Sequence, residues 1–297
     1  MVSFGIPDEK KVRVIINTDA KNEVDDQFAI VQALLTESFD LKGFIAAHFG
    51  EEKSRTSLED SYDEILKVMA LMDMSGAVPV VKGAPHAMTA EDAPIASPGA
   101  QMIIDEAMKD DPRPLYIAFL GPLTDMASAL LLAPEIAQRN VTVIWIGGGN
   151  WPCGCWEYNL KNDVHAANAV LSSQVQLWQV PRDVYRMMPV TFAELRERVH
   201  PHGAIGRYLA ENVIAFNNEL PGRPCEYRIL GDSPAIGLMI FSDCGEWDWK
   251  PAPNIAPSMH YIHSGKNRPI RVYRNINARF ILEDLYAKLK MAAKTDI

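Results

Sequence analysis

Between Asn17 and Asp26 the chain reads Asn-Thr-Asp-Ala-Lys-Asn-Glu-Val-Asp-Asp, which places the carboxylates of Asp19, Glu23, Asp25 and Asp26, four in all, within eight residues. At that density like charges repel and raise one another's pKa unless something positive sits among them. Carboxylate and carbonyl oxygens suit a hard cation, Ca²⁺ or Mg²⁺, and the lack of His and Cys in the stretch argues against zinc. A plainer account has Asp25 and Asp26 capping a helix while Asp19 and Glu23 stay solvated. Position favours a site. The preceding Val12-Arg13-Val14-Ile15-Ile16 is a β-branched run, so the cluster falls at the carboxyl end of a buried strand, where open α/β sheets bind their ligands.

The elements that must hold this cluster follow from periodicity. After Val24, Phe28, Val31 and Leu35 recur at helical spacing, with Asp25 and Asp26 in the first turn. Leu41 to Ala47 reads as a second strand, and Leu58, Tyr62, Ile65, Met69 and Met72 form one apolar helical stripe. Val78 to Val81, Leu115 to Leu120 and Val141 to Ile146 read as further strands, with helices around Ala100 to Met108 and from Thr124 through Leu132. Repeated βα units with short connections predict a mainly parallel sheet flanked by helices. The loops after Ile16, Ala47, Leu120 and Ile146 should then converge on one cleft. Beyond Val180 the pattern weakens into Pro-punctuated helical segments, and no repeat or Gly/Ser linker marks a boundary, so residues 1–297 are expected to form a single domain with helical insertions in the C-terminal half.

Composition narrows the partners. The 297 residues are 48% hydrophobic and 23% charged, and 29 basic against 38 acidic side chains leave a net charge of -9. Such a balance disfavours nucleic acid and polybasic membrane contact and favours small ligands or cations. No apolar run approaches a membrane span and residues 1–10 lack a signal-peptide core, so a cytoplasmic location is expected. Cys153, Cys155, Cys225 and Cys244 lack the spacing of a structural zinc site and read as idle thiols.

At this point the residues resemble a known family. The first strand, Asp19 and the Asp25-Asp26 pair are similar to the N-terminal signature of the inosine-uridine-preferring nucleoside hydrolases. Gly121-Pro122-Leu123-Thr124-Asp125 follows in the family's order, as do Gly147-Gly148-Gly149 with Glu157 to Asp163, Gly231-Asp232-Ser233-Pro234, and a last helix around Phe280 to Leu285. The resemblance implies a Rossmann-like α/β fold. It also implies a Ca²⁺ ion at the bottom of a pocket, holding the ribose 2′- and 3′-hydroxyls and the attacking water. Carried across, Asp19, Asp26 and Asp232 become carboxylate ligands and Thr124 gives its backbone carbonyl. Asp19 doubles as the general base that activates the metal-bound water, Asp25 and Asn159 bind ribose hydroxyls, and Glu157 meets the 5′-hydroxyl end. A homo-oligomer, dimer or tetramer, is implied in the same way. Cleavage of an N-glycosidic bond through an oxocarbenium-like transition state fits these residue types, because negative charge must lie near the sugar.

The chain departs from the family's pattern near the substrate. Five residues rather than three separate Asp19 from Asp25, which puts Asn22 and Glu23 in a loop bordering the ribose. A leaving-group histidine is replaced by Gly231, for which Tyr227 or Glu226 could substitute, Tyr227 being equally readable as a packing aromatic. His48, after the second strand, is a candidate acid or base contact or a structural histidine, and His86 carries the same ambiguity. Trp151, Trp156 and Tyr158 could stack on a flat leaving group or line an ordinary core, and Glu246 to Pro251, with Trp247 and Trp249, reads as a loop that could meet a partner subunit.

The expected activity is Ca²⁺-dependent hydrolysis of a ribonucleoside or related ribosyl compound, releasing base and ribose. The alternatives are a non-catalytic ribose- or nucleoside-binding protein of the same fold and a hydrolase of a modified nucleoside. A phosphatase would need phosphate-binding basic residues near the acidic loop, where Lys21 and Lys161 are the close candidates.

Overall fold

The computed structural model describes residues 4–222 and 225–293. Residues 1–3, read above for a leader, lie outside them. The strands are β1 (Val12–Thr18), β2 (Phe39–Ala46), β3 (Val80–Lys82), β4 (Leu115–Phe119), β5 (Val141–Ile146), β6 (Gln176–Val180), β7 (Pro189–Thr191), β8 (Tyr227–Ile229), β9 (Gly245–Pro251), β10 (Asn254–Ile255), β11 (Tyr261–Ile262) and β12 (Pro269–Ile276). The helices are α1 (Asp26–Leu34), α2 (Ser57–Leu71), α3 (Pro98–Ala107), α4 (Thr124–Leu132), α5 (Tyr158–Asn162), α6 (Val164–Ser172), α7 (Arg182–Tyr185), α8 (Phe192–Glu194), α9 (Gly203–Glu219), α10 (Ser233–Ile240) and α11 (Ala278–Ala293).

Eight strands form the main sheet in the order β3-β2-β1-β4-β5-β6-β12-β9. All pairs are parallel except β12 with β9 at one edge. Because side chains alternate across a strand, Val14, Ile16 and Ile144 enter one apolar layer with α1, α2, α10 and α11, while Ile15, Ile117 and Val143 enter the other with α3, α4 and α6. Both faces are covered, which is why β1, β4 and β5 tolerate near-continuous hydrophobic runs. Among the described residues no helix is long and apolar enough to cross a membrane.

The parallel α/β sheet expected from the sequence is present, with strand ends shifted by one or two residues. The C-terminal half differs from expectation. Besides helices it supplies β6, β12 and β9 to the main sheet, so the segment with Trp247 and Trp249 is an edge strand rather than a loop. Its charged residues hid the alternation: Arg271 on β12 lies over the rings of Trp178 and Trp247, 4.2 and 3.9 Å from their centroids. A guanidinium stacked between aromatics is sheltered in a way that its polarity in the sequence does not suggest.

Candidate active site

Strand ends and three later segments build one cleft of about 340 Å³, a volume that suits a small ligand. The β1 end contributes Asp19, Asn22, Glu23, Asp25 and Asp26; β4 and β5 contribute Leu120 and Ile146; the start of α5 contributes Glu157, Tyr158 and Asn159. Arg182 and Tyr185 of α7, Arg186 just after it, and Trp156, Arg228, Ile229, Gly231 and Asp232 complete the lining. The loops after β1, β4 and β5 thus converge as expected. The loop after β2 does not enter the lining, and the segment after β6, which the sequence did not single out, does.

Asp19 and Asp26 are buried rather than solvated, Asp25 is half-buried, and Glu23 stays partly exposed. Asp19, Asp26 and Asp232 are 1%, 2% and 5% exposed. Asp25 stands at the N-cap of α1, yet its side chain caps nothing and instead accepts from the Gly231 N–H at 3.0 Å. Asp26 accepts from the Thr18 hydroxyl at 2.5 Å. Carboxylate oxygens of Asp25, Asp26 and Asp232 lie within 4.8 Å of one another. Asp19 lines the same cleft, with Oδ2 buried and unpartnered. Burial, reinforced by mutual repulsion, pushes the carboxyls of Asp19, Asp25 and Asp232 well above the usual range, and burial pushes Asp26 up to about 7. Oxygens this close suit a shared ion, since Ca²⁺–O bonds of roughly 2.3–2.6 Å set ligands up to about 5 Å apart. A cation answers the proximity of the three carboxylates, and the buried Oδ2 of Asp19 is left to accept a proton from a ligand.

Asn159 is fixed from two strands, its amide nitrogen donating to the carbonyls of Leu120 at 2.9 Å and Ile146 at 2.8 Å. Both amide hydrogens are thereby used, and its oxygen is the atom left for a ligand. Glu157 is buried and accepts four hydrogen bonds, from Gly148, Asn159 and Leu160 N–H and from the Tyr185 hydroxyl. A carboxylate offers about four acceptor positions, so Glu157 holds the loop and α5 together. Burial raises its pKa and these bonds oppose the rise. Asn22 accepts from Lys53 Nζ at 2.5 Å, and Glu23 is ion-paired with Arg228.

Three expected site residues lie elsewhere. Thr124 opens α4, where its carbonyl accepts from the Ser128 hydroxyl at 2.8 Å and its own hydroxyl donates to Asp163 at 2.8 Å. It does not line the cleft; Leu120, at the strand end, does. His48 is 2% exposed behind the cleft, with Nε2 3.0 Å from the Thr124 hydroxyl oxygen. That hydroxyl gives its proton to Asp163, so Nε2 is the protonated nitrogen, and burial pushes the imidazole pKa down to about 4. Tyr227 sits on β8 paired with β7, 48% exposed and outside the lining. Glu226 is likewise outside, and His86 is exposed.

Tyr185 occupies the neighbourhood of the missing histidine. A Cβ on Gly231 would meet the Tyr185 ring at 3.1 Å and Asp25 Oδ2 at 3.2 Å, tighter than ordinary contact. The Tyr185 hydroxyl donates to Glu157, and burial with that carboxylate drives its pKa upward, which makes it a poor acid. Trp156 and Tyr158 line the cleft with ring centroids 6.1 Å apart, whereas Trp151 packs on Tyr261. Lys21 and Lys161 are paired with Glu64 and Glu52.

A family sequence model described as inosine-uridine preferring nucleoside hydrolase matches residues 14–244. The chain belongs to this family. An uncharacterized protein of Schizosaccharomyces pombe is 36% identical over 86 residues, 28% of each chain. The pyrimidine-specific ribonucleoside hydrolase RihA of Salmonella arizonae is 24% identical over 196 residues, 58% of this chain and 61% of that one. The matched region thus spans less than two thirds of either curated relative. Among solved structures, the purine-preferring ribonucleoside hydrolase from Gardnerella vaginalis superposes with a TM-score of 0.79 at 19% identity, covering 95% of this chain and 99% of that one. This likeness shows that the nucleoside hydrolase fold runs nearly the length of the protein, beyond the span of the family match.

Proposed function

We propose that the protein hydrolyses the N-glycosidic bond of a ribonucleoside or related ribosyl compound in a Ca²⁺-dependent reaction. The observation that carries this reading is the meeting of Asp19, Asp25, Asp26 and Asp232, from segments 206 residues apart, in one buried cleft beside Asn159. Asp26, Asp232 and Asp19 would hold the cation, with Leu120 in place of Thr124 as the backbone oxygen. When bound, the cation supplies charge for the sugar hydroxyls and acidifies water.

Asp19 accepts the proton of the attacking water through its unpartnered Oδ2. The water oxygen bonds to the anomeric carbon, the C–N bond breaks, and the electron pair leaves with the base. Asp25 and the oxygen of Asn159 accept from ribose hydroxyls, and the carboxylates favour the positive charge that develops on the sugar. Glu157 positions Asn159 and Tyr185 in place of its expected contact with the 5′ end. Trp156 and Tyr158 supply faces for a flat leaving group. With Gly231 offering no acid and Tyr185 a poor one, the leaving group departs on its own stability.

That deficit is the observation favouring a second reading, a nucleoside-binding protein without turnover. A reducing-sugar assay on purine, pyrimidine and modified ribonucleosides, with Ca²⁺ and after chelation, separates the two. Chelator-sensitive ribose release is the expected result; saturable ligand binding with no release overturns the hydrolase.

A further inference from the structure

Arg182, the first residue of α7, and Arg186, its C-cap residue with helical backbone, stand four residues apart, a spacing that turns both side chains to one face, and both line the cleft. Among the described residues neither guanidinium has an ion-pair or hydrogen-bonding side-chain partner. The other cations around the site are engaged: Arg228 with Glu23, Lys53 with Asn22, Lys21 with Glu64 and Lys161 with Glu52. Arg182 is moreover half-buried, so its charge is only partly screened by solvent. Two like charges at this spacing repel each other, and no acidic side chain in the lining is bonded to either.

We propose that the substrate of this cleft carries an anionic oxygen group, a phosphate or a carboxylate, bound by the guanidinia of Arg182 and Arg186. The inference rests on the ribosyl-hydrolase reading and sharpens its substrate class from neutral nucleoside to charged conjugate. Guanidinium forks match both groups bidentately, and charge-assisted bonds are the strong ones. The acidic floor repels an anion, so the charged group must sit away from it, and α7 supplies the opposite sign at that wall. Tyr185, between the two arginines, ties the wall to the floor through Glu157.

The test compares uridine, uridine 5′-monophosphate and a uridine with a carboxylate on its base, with Ca²⁺ present, following release of base and of inorganic phosphate. One charged substrate is expected to exceed uridine in kcat/KM by about a hundredfold, and the Arg182→Gln/Arg186→Gln double variant to lower that ratio by about ten- to hundredfold. Preference for the phosphate places the anion on the sugar; preference for the carboxylate places it on the base. Equal or better handling of uridine, or a ratio unmoved in the double variant, overturns the proposal. Release of inorganic phosphate without base refutes the glycosidic reading and leaves the anion site supported. If nothing is released, calorimetric titration of the same three ligands decides: tighter, arginine-dependent binding of a charged one supports the proposal, and equal binding overturns it.

Discussion

Asp19 and His48 both stand near strand ends in the sequence, yet burial gives them opposite parts. Asp19 faces the cleft with an unpartnered oxygen, and Asp19→Asn removes the acceptor without changing shape. Turnover in that variant is expected to fall by about 10²–10⁴-fold, while a calcium titration still saturates; unchanged turnover would remove Asp19 from the mechanism. His48 is a neutral structural donor to Thr124. Its folded pKa of about 4 lies below the ordinary 6.5, so the unfolded chain takes up the proton first as pH falls, and stability is lost between those values. His48→Gln keeps a donor and abolishes the titration. Urea unfolding at pH 7 and pH 4.5 should show the wild type losing ~2 kcal/mol more than the variant, and equal losses would assign the imidazole another state.

Helix α5 and the loop before it depend on Glu157, whose carboxylate gathers three backbone N–H groups and one hydroxyl. In Glu157→Gln an amide must turn its own N–H groups toward some of those donors. A loss of about 1.5–3 kcal/mol is expected, read in thermal unfolding, together with a raised KM because Asn159 and Tyr185 lose their anchor. Unchanged KM in a destabilised variant would confine Glu157 to the fold. The same element explains why Tyr185, and not a histidine at residue 231, fills that corner: its hydroxyl is tied to Glu157 and its ring lies against Gly231. Gly231→His must therefore displace Tyr185, and is expected to destabilise by about 1–3 kcal/mol without restoring acid catalysis. A gain in ribose release would show that the tyrosine yields.

Across the whole molecule, the floor of the cleft joins α1, the loop after β1 and the start of α10, elements that meet across the carboxyl end of the sheet. Clustering buried carboxylates opposes folding unless a cation binds the folded state. At calcium about 100-fold above its dissociation constant, binding stabilises by ~2.7 kcal/mol, so chelation should lower Tm by on the order of 5 °C. Magnesium should substitute poorly, since it demands a tighter octahedral shell. No change in Tm with calcium would remove the metal from this fold.

The sequence by itself determined the parallel α/β sheet and the acidic floor. Both rest on short-range regularities: β-branched runs, helical apolar stripes, and Asp19, Asp25 and Asp26 within eight residues of one strand end. The Gly-Asp of 231–232 was legible through its motif. Tertiary structure decided the rest. Whether Thr124 or Leu120 lines the cleft depends on where β4 ends and α4 begins, and His48 is hidden because its imidazole is buried against the Thr124 hydroxyl instead of lining the cleft. Tyr185, Arg182 and Arg186 carry no local signal, since α7 reaches the cleft only because β6 lies beside β5 and the Arg182 N–H bonds to the Gly148 carbonyl. Arg271, stacked between aromatic rings on β12, masked a sheet strand for the same reason. Periodicity reports which face of an element is apolar, whereas the identity of its neighbour is set by contacts between residues far apart in the chain.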